Sequence, residues 1–218
     1  FRCCYNLKRT PIVPNSVINM EQTFASCYNL IQISNIPNSV QRMSNTFESC
    51  SNLTQIPNIP NSVTNICNIL QGCTNITAFP TIPNTITNLD YSFEQCRNVT
   101  TVGYNISSEV TSMNHTFARC EGLKGNIFIE SNKITSAVSC FANTTVNKNV
   151  YIPYTYANGT ESLYRYLSII NCVKVAGGGD AVASINKMGF DDSFDFLSTG
   201  GGATLDYIAE RKLQCFEE

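Results

Sequence analysis

Six cysteines recur at an almost constant interval, and this regularity limits the folds that the chain can adopt. Cysteine stands at positions 4, 27, 50, 73, 96 and 120, so the intervals are 23, 23, 23, 23 and 24 residues. An interval of this length, kept over most of a chain, indicates an internal repeat whose units stack on one another. Three residues before each cysteine stands Phe or Leu, and further apolar positions keep the same register.

Each repeat reads as one coil of a solenoid. Residues 53–57 predict a short extended segment, and the Pro-Asn-Ser-Val stretch at 60–63 predicts a turn. The three- to four-residue spacing from Met43 to Cys50 predicts a short helical or 3₁₀ arc on the opposite side. The sequence therefore predicts an α/β repeat solenoid of about seven coils over residues 1–157. Its predicted internal ladders are Phe24, Phe47, Phe93 and Phe117, and Cys27, Cys50, Cys73, Cys96 and Cys120.

The cysteines admit several interpretations. A ladder cysteine could be redox-active, metal-binding or disulfide-linked, but a cysteine in an apolar column more often serves as a small buried hydrophobe. There is no Cys-x-x-Cys pair and His115 is the single histidine, which argues against a zinc site. The 14 basic residues are dispersed among 16 acidic ones, so the chain offers no nucleic-acid footprint. No apolar run approaches the length of a membrane span.

The repeated text resembles a known family. Ile-Pro-Asn-Ser-Val-x-x-Met-x-x-Thr-Phe-x-x-Cys-x-Asn-Leu-Thr-x-Ile is similar to the BspA-like leucine-rich repeat, over more than two thirds of the chain. That resemblance implies a surface protein that attaches to hosts, matrix or other cells. It implies an extracellular or cell-surface location and a protein or glycan partner bound on the solenoid face. Because the chain opens within a repeat, we expect Phe1 to lie in the middle of a longer polypeptide.

The character of the chain changes after residue 157. Residues 173–176 predict a short buried strand and residues 194–197 a second strand. Each runs into a glycine-rich loop and a helical stretch, at 181–188 and 204–212. This order predicts a small βαβα fragment with parallel strands in a second segment, residues 158–218. Glycine at a helix N-terminus lets bare N–H groups approach a phosphate.

This segment resembles the C-terminal end of phosphoglycerate kinase. The matching text is Val-Ala-Gly-Gly-Gly-Asp at 175–180, Met-Gly-Phe-Asp-Asp at 188–192 and Leu-Ser-Thr-Gly-Gly-Gly-Ala at 197–203. The resemblance implies that both glycine loops contact the phosphates of Mg-ATP and that Asp180 meets the magnesium. By position, the phosphate-binding residues would be Gly177, Gly178, Gly179, Asp180, Gly200, Gly201 and Gly202.

The segment also departs from that family. Ala181 stands where the family usually has Ser or Thr, and the chain offers no Lys or Arg cluster. Because phosphoryl transfer depends on positioning and cationic stabilisation, we predict no catalytic residue and no cofactor in this chain.

Three functions remain open from the sequence. The first is a binding or adhesion module built from repeats. The alternative is a cytoplasmic polypeptide derived from phosphoglycerate kinase, with Mg-ATP as its ligand and an incomplete, inactive site. The third is a purely structural solenoid fragment. Titration with Mg-ATP and a screen against glycans and matrix proteins would separate the first two.

Overall fold

The 23-residue interval of the sequence is also the step between neighbouring coils in space. The computed structural model describes residues 1–100, 104–123, 125–131, 133–144, 148–151, 175–177, 179–194 and 196–198. Strands β1 (Tyr104–Ile106), β2 (Gly125–Ile129) and β3 (Lys148–Tyr151) form a parallel sheet in that order. Tyr104 pairs with Ile127, and Ile127 pairs with Val150, one repeat further on each time. Earlier coils are joined by isolated parallel bridges such as Asn19 to Arg42.

One apolar core runs through the stack, and the predicted ladders lie inside it. All four Phe residues and all five Cys residues of those ladders have 0 or 1% of their surface exposed. Phe24 stacks on Phe47 with 5.9 Å between ring centroids, and Phe93 stacks on Phe117 at 5.8 Å. Leu70 takes the Phe position between them and is also buried. The repeat solenoid predicted from the spacing is therefore present, while the number of coils stays a prediction.

The segment from each repeat Met to the repeat Cys, which we call the turn segment, is not the helical or 3₁₀ arc that the spacing predicts. In residues 20–27, the Thr23 N–H donates to the Met20 carbonyl at 3.1 Å and the Cys27 N–H to the Phe24 carbonyl at 3.2 Å. Gln22 and Ser26 have φ of 55° and 59°, which a right-handed helix cannot contain. The same two positions have positive φ in every later turn segment: Asn45, Ser49, Asn68, Gly72, Tyr91, Gln95, His115, Arg119, Ser139 and Asn143.

These left-handed residues direct backbone donors toward the next coil. The N–H groups of Gln22, Phe24 and Ser26 donate to carbonyls of residues 44, 46 and 48 at 3.0, 3.0 and 2.7 Å. The same three positions donate in the following turn segments. Turns with alternating handedness thus satisfy the buried backbone as a strand ladder would.

The ladder cysteines add a second set of bonds between coils. The Cys50 thiol donates to the carbonyl of Phe24 in the preceding coil, with 3.2 Å between Sγ and O. Cys27, Cys73, Cys96 and Cys120 make the equivalent contact, at 3.0 to 3.3 Å. A thiol is small and apolar enough for the core and still carries a donor. None of the nine described cysteines forms a disulfide.

The described part of the C-terminal segment packs against the same core. Strand β4 (Val175–Gly177), helix α1 (Gly179–Lys187), a 3₁₀ turn (Asp191–Ser193) and strand β5 (Phe196–Ser198) follow one another, and β4 pairs with β5 in parallel. Ile185 of α1 is fully buried in the common core, and Met188, Phe190, Phe194 and Leu197 pack against it. The second predicted helix, 204–212, lies outside the described residues.

We predict that alkaline pH destabilises this fold through the ladder thiols. Burial raises the pKa of Cys50 to about 12, and it raises the pKa values of Cys73 and Cys96 well above the usual range. An unfolded cysteine ionises above about pH 8.5, so above that pH the unfolded state binds fewer protons than the folded state. The stabilisation is complete below that pH and is lost as pH rises toward the folded pKa, by about 1.4 kcal/mol per pH unit for each buried thiol.

Urea unfolding of the chain at a series of pH values between about 7 and 10.5 tests this linkage. The Cys96→Ala variant should lose stability with pH less steeply, by about 1.4 kcal/mol per pH unit. Cys3→Ala is the matched control, because Cys3 is exposed. Equal slopes for the Cys96→Ala variant and the parent chain would contradict the prediction.

Candidate functional site

Two open grooves adjoin on the side of the coils that carries the Ile-Pro-Asn text. They lie between successive Ile–Pro segments, which are residues 30–37, 53–60 and 76–83. The first groove, about 340 Å³, has residues 31–33 on one wall and 55–58 on the other. The second, about 580 Å³, has Asn58, Ile59 and Asn61 on one wall and residues 81–85 on the other. Asn58 lines both, so we treat them as one feature, the Ile–Pro cleft.

The preceding gap, between the first two coils, is closed by side chains. The Ser34 hydroxyl donates to the Thr10 carbonyl at 2.6 Å, and the Thr10 hydroxyl accepts from the Ser34 N–H at 2.9 Å. One residue further on, the Asn35 amide donates to the Val13 carbonyl at 2.9 Å and accepts from the Val13 N–H at 2.8 Å. Four hydrogen bonds therefore hold these two coils together on this side.

The bonds between Thr10 and Ser34 have no equivalent in the next two gaps, because the sequence changes in the same register. Pro57 and Pro80 replace Ser34, and proline has neither the N–H nor the hydroxyl that Ser34 uses. Ile33 and Ile56 replace Thr10 as their partners. Asn58 keeps the amide of Asn35, but it is exposed and makes no hydrogen bond within the described part of the chain. The cleft opens where these inter-coil bonds are lost.

The lining of the Ile–Pro cleft is uncharged. Its side chains are isoleucine, proline, asparagine, glutamine and threonine, with no Asp, Glu, Lys or Arg among them. Within the described residues, the side-chain amides of Gln55, Asn58, Asn61 and Asn84 have no hydrogen-bond partner in the protein, and all four residues are exposed. The arrangement offers donors and acceptors beside apolar patches, which suits binding, and its lining contains no acid, no base and nothing to activate the hydroxyls of Thr81 and Thr85.

The glycine residues expected to bind phosphate are described only in part. Gly177 ends β4, and Gly179 and Asp180 are the first two residues of α1, so the first glycine loop does lead into a helix N-terminus. Gly177 pairs with Ser198, which places the beginnings of both loops at the same edge of the two-stranded sheet. Gly178, Gly200, Gly201 and Gly202 lie outside the described residues.

The described residues contain neither a metal-binding cluster nor a membrane-spanning helix. Within them, no group of three or more His, Cys, Asp and Glu side chains is placed to hold a metal ion. In the same part of the chain, no helix is long and apolar enough to cross a membrane.

The Ile–Pro cleft was missed from the sequence. Each Pro and Asn was interpreted as a turn residue within its own coil, because only the buried ladders were compared from one coil to the next. The available signal was a comparison down the column, where Ser34 becomes Pro57 and then Pro80 while the Pro37, Pro60 and Pro83 turns stay constant.

Two separate parts of the chain match the models of two different protein families. Residues 1–77 match the family model described as "BspA type Leucine rich repeat region (6 copies)", and residues 131–211 match "Phosphoglycerate kinase". The phosphoglycerate kinase of Rubrobacter xylanophilus is 43% identical over 58 residues, which is 27% of this chain and 15% of that protein. That of Francisella tularensis subsp. tularensis is 35% identical over 91 residues, 40% of this chain and 23% of that protein.

The chain thus spans between 15 and 23% of the length of these two curated relatives. Among solved structures, a leucine-rich repeat protein from Bacteroides ovatus covers 91% of this chain and 64% of its own, with 16% identity and a TM-score of 0.37. The kinase match begins at residue 131, upstream of the 173 expected from the motifs. Residues 133–144 and β3 nevertheless continue the stack, with Phe141 on Phe117 at 5.4 Å.

We predict that Asn35 and Asn58 differ in their contribution to stability, although they occupy the same repeat position. Asn35→Ala leaves the N–H and carbonyl of buried Val13 without partners, which should cost about 1–3 kcal/mol. Asn58→Ala removes no intramolecular bond and should change stability by less than about 0.5 kcal/mol. Chemical denaturation measures both values, and amide exchange at Val13 should accelerate in the Asn35→Ala variant alone. Equal losses in the two variants would refute the assignment.

Proposed function

We propose that this chain, which joins BspA-type leucine-rich repeats to a segment similar to part of phosphoglycerate kinase, is a binding and adhesion module. The observation that carries the proposal is the open, uncharged Ile–Pro cleft, which lies on a stack held together by hydrogen bonds between coils. A rigid scaffold that holds unpartnered polar groups in place lowers the entropy lost when a ligand is bound. The partner would be a protein or a glycan recognised on the solenoid face.

The proposed location is the cell surface or the extracellular space. The BspA-type repeat in residues 1–77 supports it, because such repeats are typical of surface proteins. The buried, unbridged ladder thiols are compatible with that location, since burial and a raised pKa suppress thiolate chemistry.

A binding screen tests the module directly. The full chain is applied to an immobilised panel of extracellular matrix proteins and glycans, and saturable binding is measured by surface plasmon resonance. We expect at least one matrix protein or glycan to bind, and heat-unfolded chain to lose that binding. A panel without any saturable ligand would count against the module.

A second candidate function follows from the kinase-like segment. The match over residues 131–211 and the glycine-led start of α1 support weak binding of phosphate groups there. The segment would then act as an enzyme-derived cap, with Gly177, Gly179 and Asp180 as its described candidate contacts. Phosphoryl transfer needs cations placed on the transferring group, and the chain supplies no cluster of them.

We therefore expect no phosphoryl transfer from this chain. In a coupled assay with ATP and 3-phosphoglycerate, the rate should equal the background without protein. Mg-ATP should bind only in the millimolar range, at roughly −4 kcal/mol. Turnover above background that disappears in the Asp180→Ala variant would favour the kinase function instead.

A further inference from the structure

We propose that the Ile–Pro cleft binds a neutral oligosaccharide chain. The inference rests on the binding function proposed above and names the class of ligand and the residues that contact it. The proposed polar contacts in the second groove are Asn58, Asn61 and Asn84. Gln55 provides a further polar contact in the first groove.

Charge is the first argument. The walls carry no ionised side chain along either groove, so a polyanionic sugar or a charged peptide finds no counter-charge there. Burying an unpaired charge against these walls would be unfavourable, whereas a neutral ligand meets no such penalty. Binding of a neutral ligand should also be nearly insensitive to salt, because screening acts on charges.

The hydrogen-bonding groups are the second argument. Each amide of Asn58, Asn61 and Asn84 both donates and accepts, and none is occupied by the protein within the described residues. A sugar hydroxyl has the same double capacity. Beside these amides, exposed Ile31 and half-buried Ile56 present apolar surface that can cover the C–H face of a sugar ring.

A peptide or folded protein fits the cleft less well. Capture of an extended peptide by strand addition needs an uninterrupted row of backbone donors, and Pro57, Pro60 and Pro83 remove donors along these walls. The anchors that dominate protein interfaces are Trp, Tyr and Arg, and the cleft lining contains none of them. The lining therefore favours a glycan over both alternatives.

The cleft exists because two bonded side chains are replaced. Thr10 and Ser34 close the preceding gap, and Ile33 and Pro57 stand in their positions across the first groove. A double variant, Ile33→Thr with Pro57→Ser, restores the closing groups in the register where they already work. It should shut the first groove without adding charge.

Isothermal titration of the full chain with neutral tetrasaccharides of glucose, mannose and N-acetylglucosamine tests the proposal. An oligogalacturonate and a short uncharged peptide serve as comparison probes. We expect a neutral tetrasaccharide to bind and its affinity to fall about three- to tenfold in Asn58→Ala and in Asn84→Ala. Asn38→Ala is the matched control, because Asn38 follows the repeat proline as Asn84 does but lines neither groove. The double variant should bind more weakly than the parent chain.

The outcomes separate this inference from the binding function itself. Equal saccharide affinity in the Asn58→Ala, Asn84→Ala and Asn38→Ala variants would overturn the cleft as the site, whether or not the double variant folds. Preference for the oligogalacturonate or the peptide would overturn the neutral-glycan assignment. Binding of a matrix protein without any tetrasaccharide would overturn this inference alone, whereas absence of every ligand would overturn the module as well.

Discussion

The whole structure depends on how backbone polar groups find partners between coils that contain little regular secondary structure. A buried N–H or carbonyl without a partner costs more free energy than most packing contacts contribute. The coils of the stack must therefore form hydrogen bonds to one another at each turn. Here the turn segments achieve this with pairs of left-handed residues, as at Gln22 and Ser26, which send alternate N–H groups to the next coil. Side chains supply the remaining donors.

The side-chain donors explain why the repeat consensus contains Cys and Thr in fixed places. The Cys73 thiol donates to the Phe47 carbonyl at 3.0 Å, and the buried Thr116 hydroxyl donates to the Leu89 carbonyl at 2.9 Å. In the last described repeat, Cys140 stands in the column of Thr116, and its carbonyl accepts from the Phe117 N–H. Most coils place a small side chain with a donor at these positions, and buried Ile69 is the exception in the Thr column.

The sequence predicts the core well and the backbone poorly. The Phe and Cys columns follow from periodicity alone, because burial depends on which side chains share a register. The prediction of a helical or 3₁₀ arc was wrong because apolar spacing of three or four residues does not determine the sign of φ at the residues between. Polar residues at Gln22 and Asn45 were the available hint, and Asn tolerates the left-handed region better than most residues. In the C-terminal segment, glycine loops and short apolar runs sufficed to place β4, α1 and β5 within a few residues.

The cleft could not be predicted by the same reasoning, because it arises from bonds that are missing. Asn35 and Asn58 occupy the same repeat position, yet Asn35 hydrogen-bonds to Val13 and Asn58 is exposed. The difference originates next to them, where Ser34 gives way to Pro57 and the two coils lose a paired contact. The bonding of the turn segments lets the Ile–Pro side open without loss of the stack. A repeat scaffold of this kind can therefore open a groove by changing two columns of the consensus while the buried Phe and Cys ladders stay intact.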